Sequence, residues 1–136
     1  MMNKFAALCG ASVVTMMSVS AAVASECSVA TLTGHYTYWL QGADEAGAAY
    51  AEVGQETYDG AGNVRSQVSV SGNGAIEEDT ATYVVNADCS GTVSYASGAA
   101  FNIFVAPSGD SFVFSSSVAG VVQVGENTRV DMDASH

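Results

Sequence analysis

The chain has 136 residues, with 14 acids against three lysines and arginines and a formal charge of −11 at pH 7. That length allows one domain. That charge repels phosphate backbones and anionic lipid, which excludes nucleic acid as a partner.

Residues 1–25 read as a secretory signal peptide. Lys4 supplies the basic start, residues 5–17 the apolar middle, and Ala22-Val23-Ala24-Ser25 the small residues before a cut. The apolar run falls short of the roughly 20 residues of a spanning helix. Neither Cys9 nor Cys27 follows a lipid-attachment motif. A secreted or periplasmic protein is expected, with a single domain over 26–130 and a polar tail over 131–136. All 14 acids follow Ser25, and Arg65 and Arg129 are the firm cations that remain. Such charge keeps an exported protein soluble; attraction of Ca²⁺ or cationic ligands is the alternative.

Cleavage also removes Cys9 and leaves Cys27 and Cys89. An even pair in an oxidising compartment predicts one disulfide. A metal or redox site is not expected, since no Cys-x-x-Cys occurs and the histidines are His35 and His136.

In chain order, 27–33 is an entry segment without a firm period. Residues 34–41 form the first strand, with Tyr36, Tyr38 and Leu40 on one face. A polar loop over 42–47 leads to a second strand over 48–58. The turn 59–63, Asp-Gly-Ala-Gly-Asn, leads to a third strand over 64–70, where Val64, Val68 and Val70 alternate with Arg65, Gln67 and Ser69. An acidic loop is expected over 71–78. Strands follow at 80–85, 92–95, 101–105, 111–115 and 121–124, separated by turns rich in Gly, Asn, Asp and Ser. A turn at 125–127 and a short segment at 128–130 close the domain.

No segment carries a 3.6-residue period. About eight short strands predict an all-β fold, a small antiparallel up-and-down barrel, with a sandwich as the alternative. A membrane barrel is not expected, because most strands are shorter than the roughly 9–11 residues required and the aromatics form no girdles.

Three stretches resemble a family of small, mostly uncharacterised secreted bacterial proteins: Gly34-x-Tyr36-x-Tyr38; Val53-Gly54 leading to Tyr58-Asp59-Gly60-Ala61-Gly62-Asn63; and Tyr83-x-Val85-x-x-Asp88-Cys89-Ser90-Gly91-Thr92. The resemblance covers about residues 34–124. It implies a barrel similar in architecture to the allene oxide cyclase and lipocalin (calycin) group, and it carries no activity. In that family the position of Tyr58 is usually Phe and that of Glu56 often apolar.

The second strand holds the candidate chemistry. Tyr50, Glu52, Gly54, Glu56 and Tyr58 share one face, and Ala51, Val53, Gln55 and Thr57 the other. Alternation alone does not settle which face is inside, and the preferred reading puts Val53 inward with both acids in water. The resemblance implies the reverse. Inward, Glu52 and Glu56 are candidate catalytic residues, because burial raises carboxyl pKa values. If Glu56 points inward, Glu56→Leu is expected to be neutral or stabilising by roughly 1–3 kcal/mol, because a buried ionisable group is costly unless paired. Facing water, it would change stability by less than about 0.5 kcal/mol.

Candidate ligand-binding residues inside the barrel are Tyr36, Tyr38, Tyr50, Tyr58, Phe112 and Phe114, with core packing as their competing role. His35 reads as a surface or rim histidine. Residues 59–63 read as a plain turn, lacking the acids of a Ca²⁺ loop. Glu77-Glu78-Asp79 reads as a solvated loop. No nucleophile elbow, phosphate loop or zinc pattern is present.

Three functions follow in order of preference. The first is an exported non-enzymatic barrel holding a small apolar ligand, without a cofactor. The second is a cyclase- or isomerase-type enzyme using Glu52 or Glu56. The third is an envelope or surface interaction protein without a ligand. A filled core would favour the third, a cavity with a carboxylate the second, and a purely apolar cavity the first.

Overall fold

The computed structural model describes residues 26–131. The signal segment and most of the polar tail lie outside them. Eight antiparallel strands close into one barrel in sequence order. They are β1 (Thr33–Ala43), β2 (Ala49–Asp59), β3 (Asn63–Val70), β4 (Ile76–Val85), β5 (Ser90–Tyr95), β6 (Ala100–Val105), β7 (Ser111–Ser116) and β8 (Val122–Arg129). Closure is made by β1 against β8, from Tyr36 opposite Arg129 to Ala43 opposite Val122. It leaves no unpaired sheet edge. Among the described residues no helix is long and apolar enough to cross a membrane.

Period-2 alternation builds the core. Tyr36, Tyr38 and Leu40 on β1, Tyr83 and Val85 on β4, Phe101, Ile103 and Val105 on β6, and Phe112 and Phe114 on β7 all point inward and are buried. Tyr58 lies edge-on to Tyr36, Tyr83 and Phe112, with ring centroids 5.2, 5.0 and 5.6 Å away. Edge-to-face packing of this kind adds about 0.5–1.5 kcal/mol per pair beyond the area buried.

One end of the barrel is closed. A single 3-10 turn, Val29–Thr31, and the fully buried Leu32 lie across it. The Tyr83 hydroxyl donates to the carbonyls of Val29 and Leu32, at 2.8 Å each. The Tyr36 hydroxyl donates to the Gly109 carbonyl at 2.6 Å. Arg129 donates to the Tyr36 hydroxyl and the Thr31 carbonyl, and pairs with Asp110 at 3.2 Å. The Cys27–Cys89 disulfide pins this plug to the turn before β5.

The turns behave as their chemistry requires. Asp59 accepts the backbone N–H groups of Ala61 and Asn63 and the Asn63 side-chain amide, so residues 59–63 form a turn held from within.

Two elements differ from the sequence reading. β4 begins at Ile76, so Glu77, Glu78 and Asp79 stand on a strand rather than in a loop. Pairing with β3, Ser69 opposite Ile76 to Ser66 opposite Asp79, extends the ladder through the acids. β8 runs unbroken through Gly125-Glu126-Asn127, where the sequence signals a turn. Gly125 sits opposite Phe114, and a Cβ there would strike the Phe114 ring. The glycine serves close packing, not a reversal.

Candidate functional site

The open end of the barrel leads into a cavity of about 500 Å³. This lies within the roughly 300–1,000 Å³ of small-molecule sites. Its wall combines apolar side chains, among them Leu40, Val68, Val93, Phe101, Ile103 and Phe114, with a few polar groups. The rim includes Glu77 near the start of β4, Gly98 in the β5–β6 loop and Val118 in the β7–β8 loop.

The inward face of β2 is the one with the acids. Glu56 is 2% exposed and Glu52 partly buried, whereas Val53 is 57% exposed. The preferred reading of the sequence, with both acids in water, is therefore overturned. The reason is the tyrosine set on the same face. Tyr38 and Tyr50 donate their hydroxyl protons to Glu52, at 3.0 and 2.6 Å. Tyr58 donates to Glu56 at 2.9 Å, the Asn127 amide at 2.7 Å, and Tyr95 closes on the other carboxyl oxygen. Paired in this way, the carboxyl groups tolerate an interior that would otherwise reject them.

The two acids differ in setting. Burial pushes Glu56 above the usual carboxylate range, against the pull of its donors Tyr95, Asn127, Tyr58 and Ser66. Burial, and next the charge of Glu56, holds the Tyr58 and Tyr95 phenols well above their ordinary value. Tyr38 and Tyr50 are raised too, first by burial and then by Glu52. All four phenols are thus protonated donors at neutral pH.

Gly54, between the two acids on β2, provides the room. A Cβ there would lie 2.5 Å from Tyr38 Cε1 and closer still to the Gln67 carbonyl. Backbone cannot yield cheaply, so Gly54→Ala is expected to cost roughly 1–3 kcal/mol as overpacking and to swing Tyr38 away from Glu52. Urea melts of the two proteins check this; an unchanged midpoint would mean that the strand relaxes around the methyl.

Of the other sequence candidates, Tyr38, Tyr50, Tyr58, Phe112 and Phe114 line the cavity. Tyr36 does not; it belongs to the closed end. His35 faces outward and shares a 2.9 Å hydrogen bond with Thr57. Tyr95, Asn127 and Ser66 escaped the sequence reading. Tyr95 shares a face with Val93, a signal available from alternation. Asn127 sits in what reads as a turn. The Asn127 side chain is 2% exposed, and its Oδ1 is buried without a hydrogen-bond partner. Among the described residues no group of three or more His, Cys, Asp and Glu is placed to hold a metal ion.

Comparison with protein-family models, with curated proteins and with solved structures found no match. The site's chemistry therefore rests on its own geometry.

Proposed function

We propose that this is an exported binding protein that takes a small, mostly apolar molecule into its barrel. The observation that carries the reading is the cavity of about 500 Å³, open at one end and plugged at the other. A protein that only made surface contacts would gain stability from filling it. Export by residues 1–25 is part of the proposal, and the disulfide supports it. The outer face carries Thr37, Gln55, Arg65, Gln67, Thr92 and Asn102, with Trp39, Val53 and Phe104 between them, while most aromatic rings point inward. A transmembrane barrel distributes these residues the other way.

The test is uptake of a neutral apolar fluorophore, N-phenylnaphthylamine, by the purified protein, with native mass spectrometry for anything carried along. Val70→Trp, at the mouth of the cavity, is expected to abolish the fluorescence gain. Equal fluorescence in both proteins would place the probe elsewhere and sink the reading.

A second reading, acid–base catalysis of the cyclase or isomerase kind, is the one that a cavity with a carboxylate was expected to favour, and Glu56 is a buried carboxyl of raised pKa beside the cavity. Against it, both carboxyl oxygens of Glu56 already accept protein donors. A recovered ligand that stays unchanged on incubation supports binding. Conversion that Glu56→Gln abolishes would support the enzyme.

A further inference from the structure

We infer that the molecule held in the barrel is an apolar amine, its protonated nitrogen bound at Glu52; this rests on the ligand-binding reading above. The argument starts from where each polar proton goes. The hydroxyl protons of Tyr38 and Tyr50 go to Glu52, and those of Tyr58 and Tyr95 to Glu56. The Asn127 amide also goes to Glu56, at 2.7 Å. What Glu52 presents to the cavity afterwards is lone pairs. Glu52 is partly exposed and has acceptor capacity left over after two donors. Asn127 Oδ1 is an acceptor with no partner on a side chain that is 2% exposed. Ser66 and the Gln123 amide add neutral groups to the wall.

The charges point the same way. Glu52, Glu77 and Asp79 point into the cavity, and no lysine, arginine or histidine lines it among the described residues. Arg129 is at the closed end, occupied with Tyr36, Thr31 and Asp110. Acids concentrated at one rim over low-dielectric walls focus a negative potential on the entrance. That field draws cations in and repels fatty acids and other carboxylates. A ligand ending in an acceptor would meet lone pairs and leave them unpaired, which costs affinity. An ammonium supplies donors and charge together, and a charge-assisted bond to a carboxylate is about twice as strong as a neutral one. The apolar wall takes the rest of the molecule.

The experiment is calorimetric titration of the purified protein with octylamine, octanol and octanoate at one ionic strength. Octylamine is expected to bind at least about tenfold more tightly than octanol, and octanoate most weakly. Glu52→Gln is expected to bring octylamine down to the affinity of octanol. Asp79→Asn, at a second acid of the cavity wall, is expected to lower octylamine affinity by a smaller factor, and it serves if Glu52→Gln does not fold. Octanol or octanoate binding as tightly as octylamine would overturn the inference while leaving the binding reading in place. So would an octylamine advantage that survives both substitutions. If none of the three binds and the neutral fluorophore is also refused, the binding reading itself fails.

Discussion

Glu56→Leu is expected to destabilise the barrel by about 3–5 kcal/mol, because it leaves several buried donors without an acceptor. The direction is the opposite of what an unpartnered carboxyl would give. Glu56 is buried, but Tyr58, Tyr95 and Asn127 all direct protons at it. Leucine accepts none of them. Each donor left buried without a partner costs about 1–3 kcal/mol, and Tyr58 and Asn127 are 1% and 2% exposed, too deep for easy rescue by solvent. Tyr95, at the cavity wall, recovers part of its loss through water. Glu56→Gln keeps an acceptor in place and should cost much less. The pH dependence separates charge from shape. Burial holds the Glu56 pKa above the ordinary range, so the folded protein keeps a proton that the unfolded chain releases above about pH 4.3. That contribution is fully present below the unfolded value and is lost as pH rises through the folded one. In urea melts across this window, the stability advantage of wild type over Glu56→Gln should shrink as pH rises. An advantage that grows with pH would mean that Glu56 is ionised in the barrel and held there by its donors. A leucine variant as stable as wild type would remove the network from the stability of the fold altogether.

The strands and their turns were legible in the sequence because they depend on local chemistry. Residues 59–63 turn by means of their own Asp and Gly, and Val64, Val68 and Val70 alternate as they must. The facing of β2 was not legible. Tyr50, Glu52, Glu56 and Tyr58 on one face and Val53, Gln55 and Thr57 on the other are each a passable inner surface. The choice is decided by partners on other strands, Tyr38 on β1, Tyr95 on β5 and Asn127 on β8. Those partners stand 14, 39 and 71 residues from the groups they meet. Barrel closure brings them together, and no local pattern encodes it. Gly125 and Glu77-Glu78-Asp79 misled for a related reason. A glycine reads as a turn and an acidic run as a loop, whereas here the glycine admits the ring of Phe114 and two of the acids, Glu77 and Asp79, fall on the inner register of β4.

Removal of the disulfide is expected to lower stability by about 4 kcal/mol. Cys27 and Cys89 are 62 residues apart, and the chain-entropy relation gives that value for a loop of this length. The effect lies mainly in the unfolded chain, which gains freedom when the loop opens. The folded plug keeps other ties: the Cys27 N–H donates to the Ala87 carbonyl at 3.2 Å, and Tyr83 still reaches Val29 and Leu32. Cys27→Ala with Cys89→Ala should therefore shift the urea midpoint strongly while far-UV circular dichroism of the folded state stays that of a β protein. The denaturant slope should rise, because an uncrosslinked chain exposes more surface on unfolding. Probe binding at the open end should persist in the folded double variant, since the bond and the cavity mouth occupy opposite ends of the barrel. Mass spectrometry of alkylated, non-reduced protein gives the prior check, with no free thiol expected at either position. Two alkylatable cysteines would refute the pairing. A loss below about 1 kcal/mol would mean that the plug's hydrogen bonds and Leu32 already confine the chain so far that the covalent link adds little.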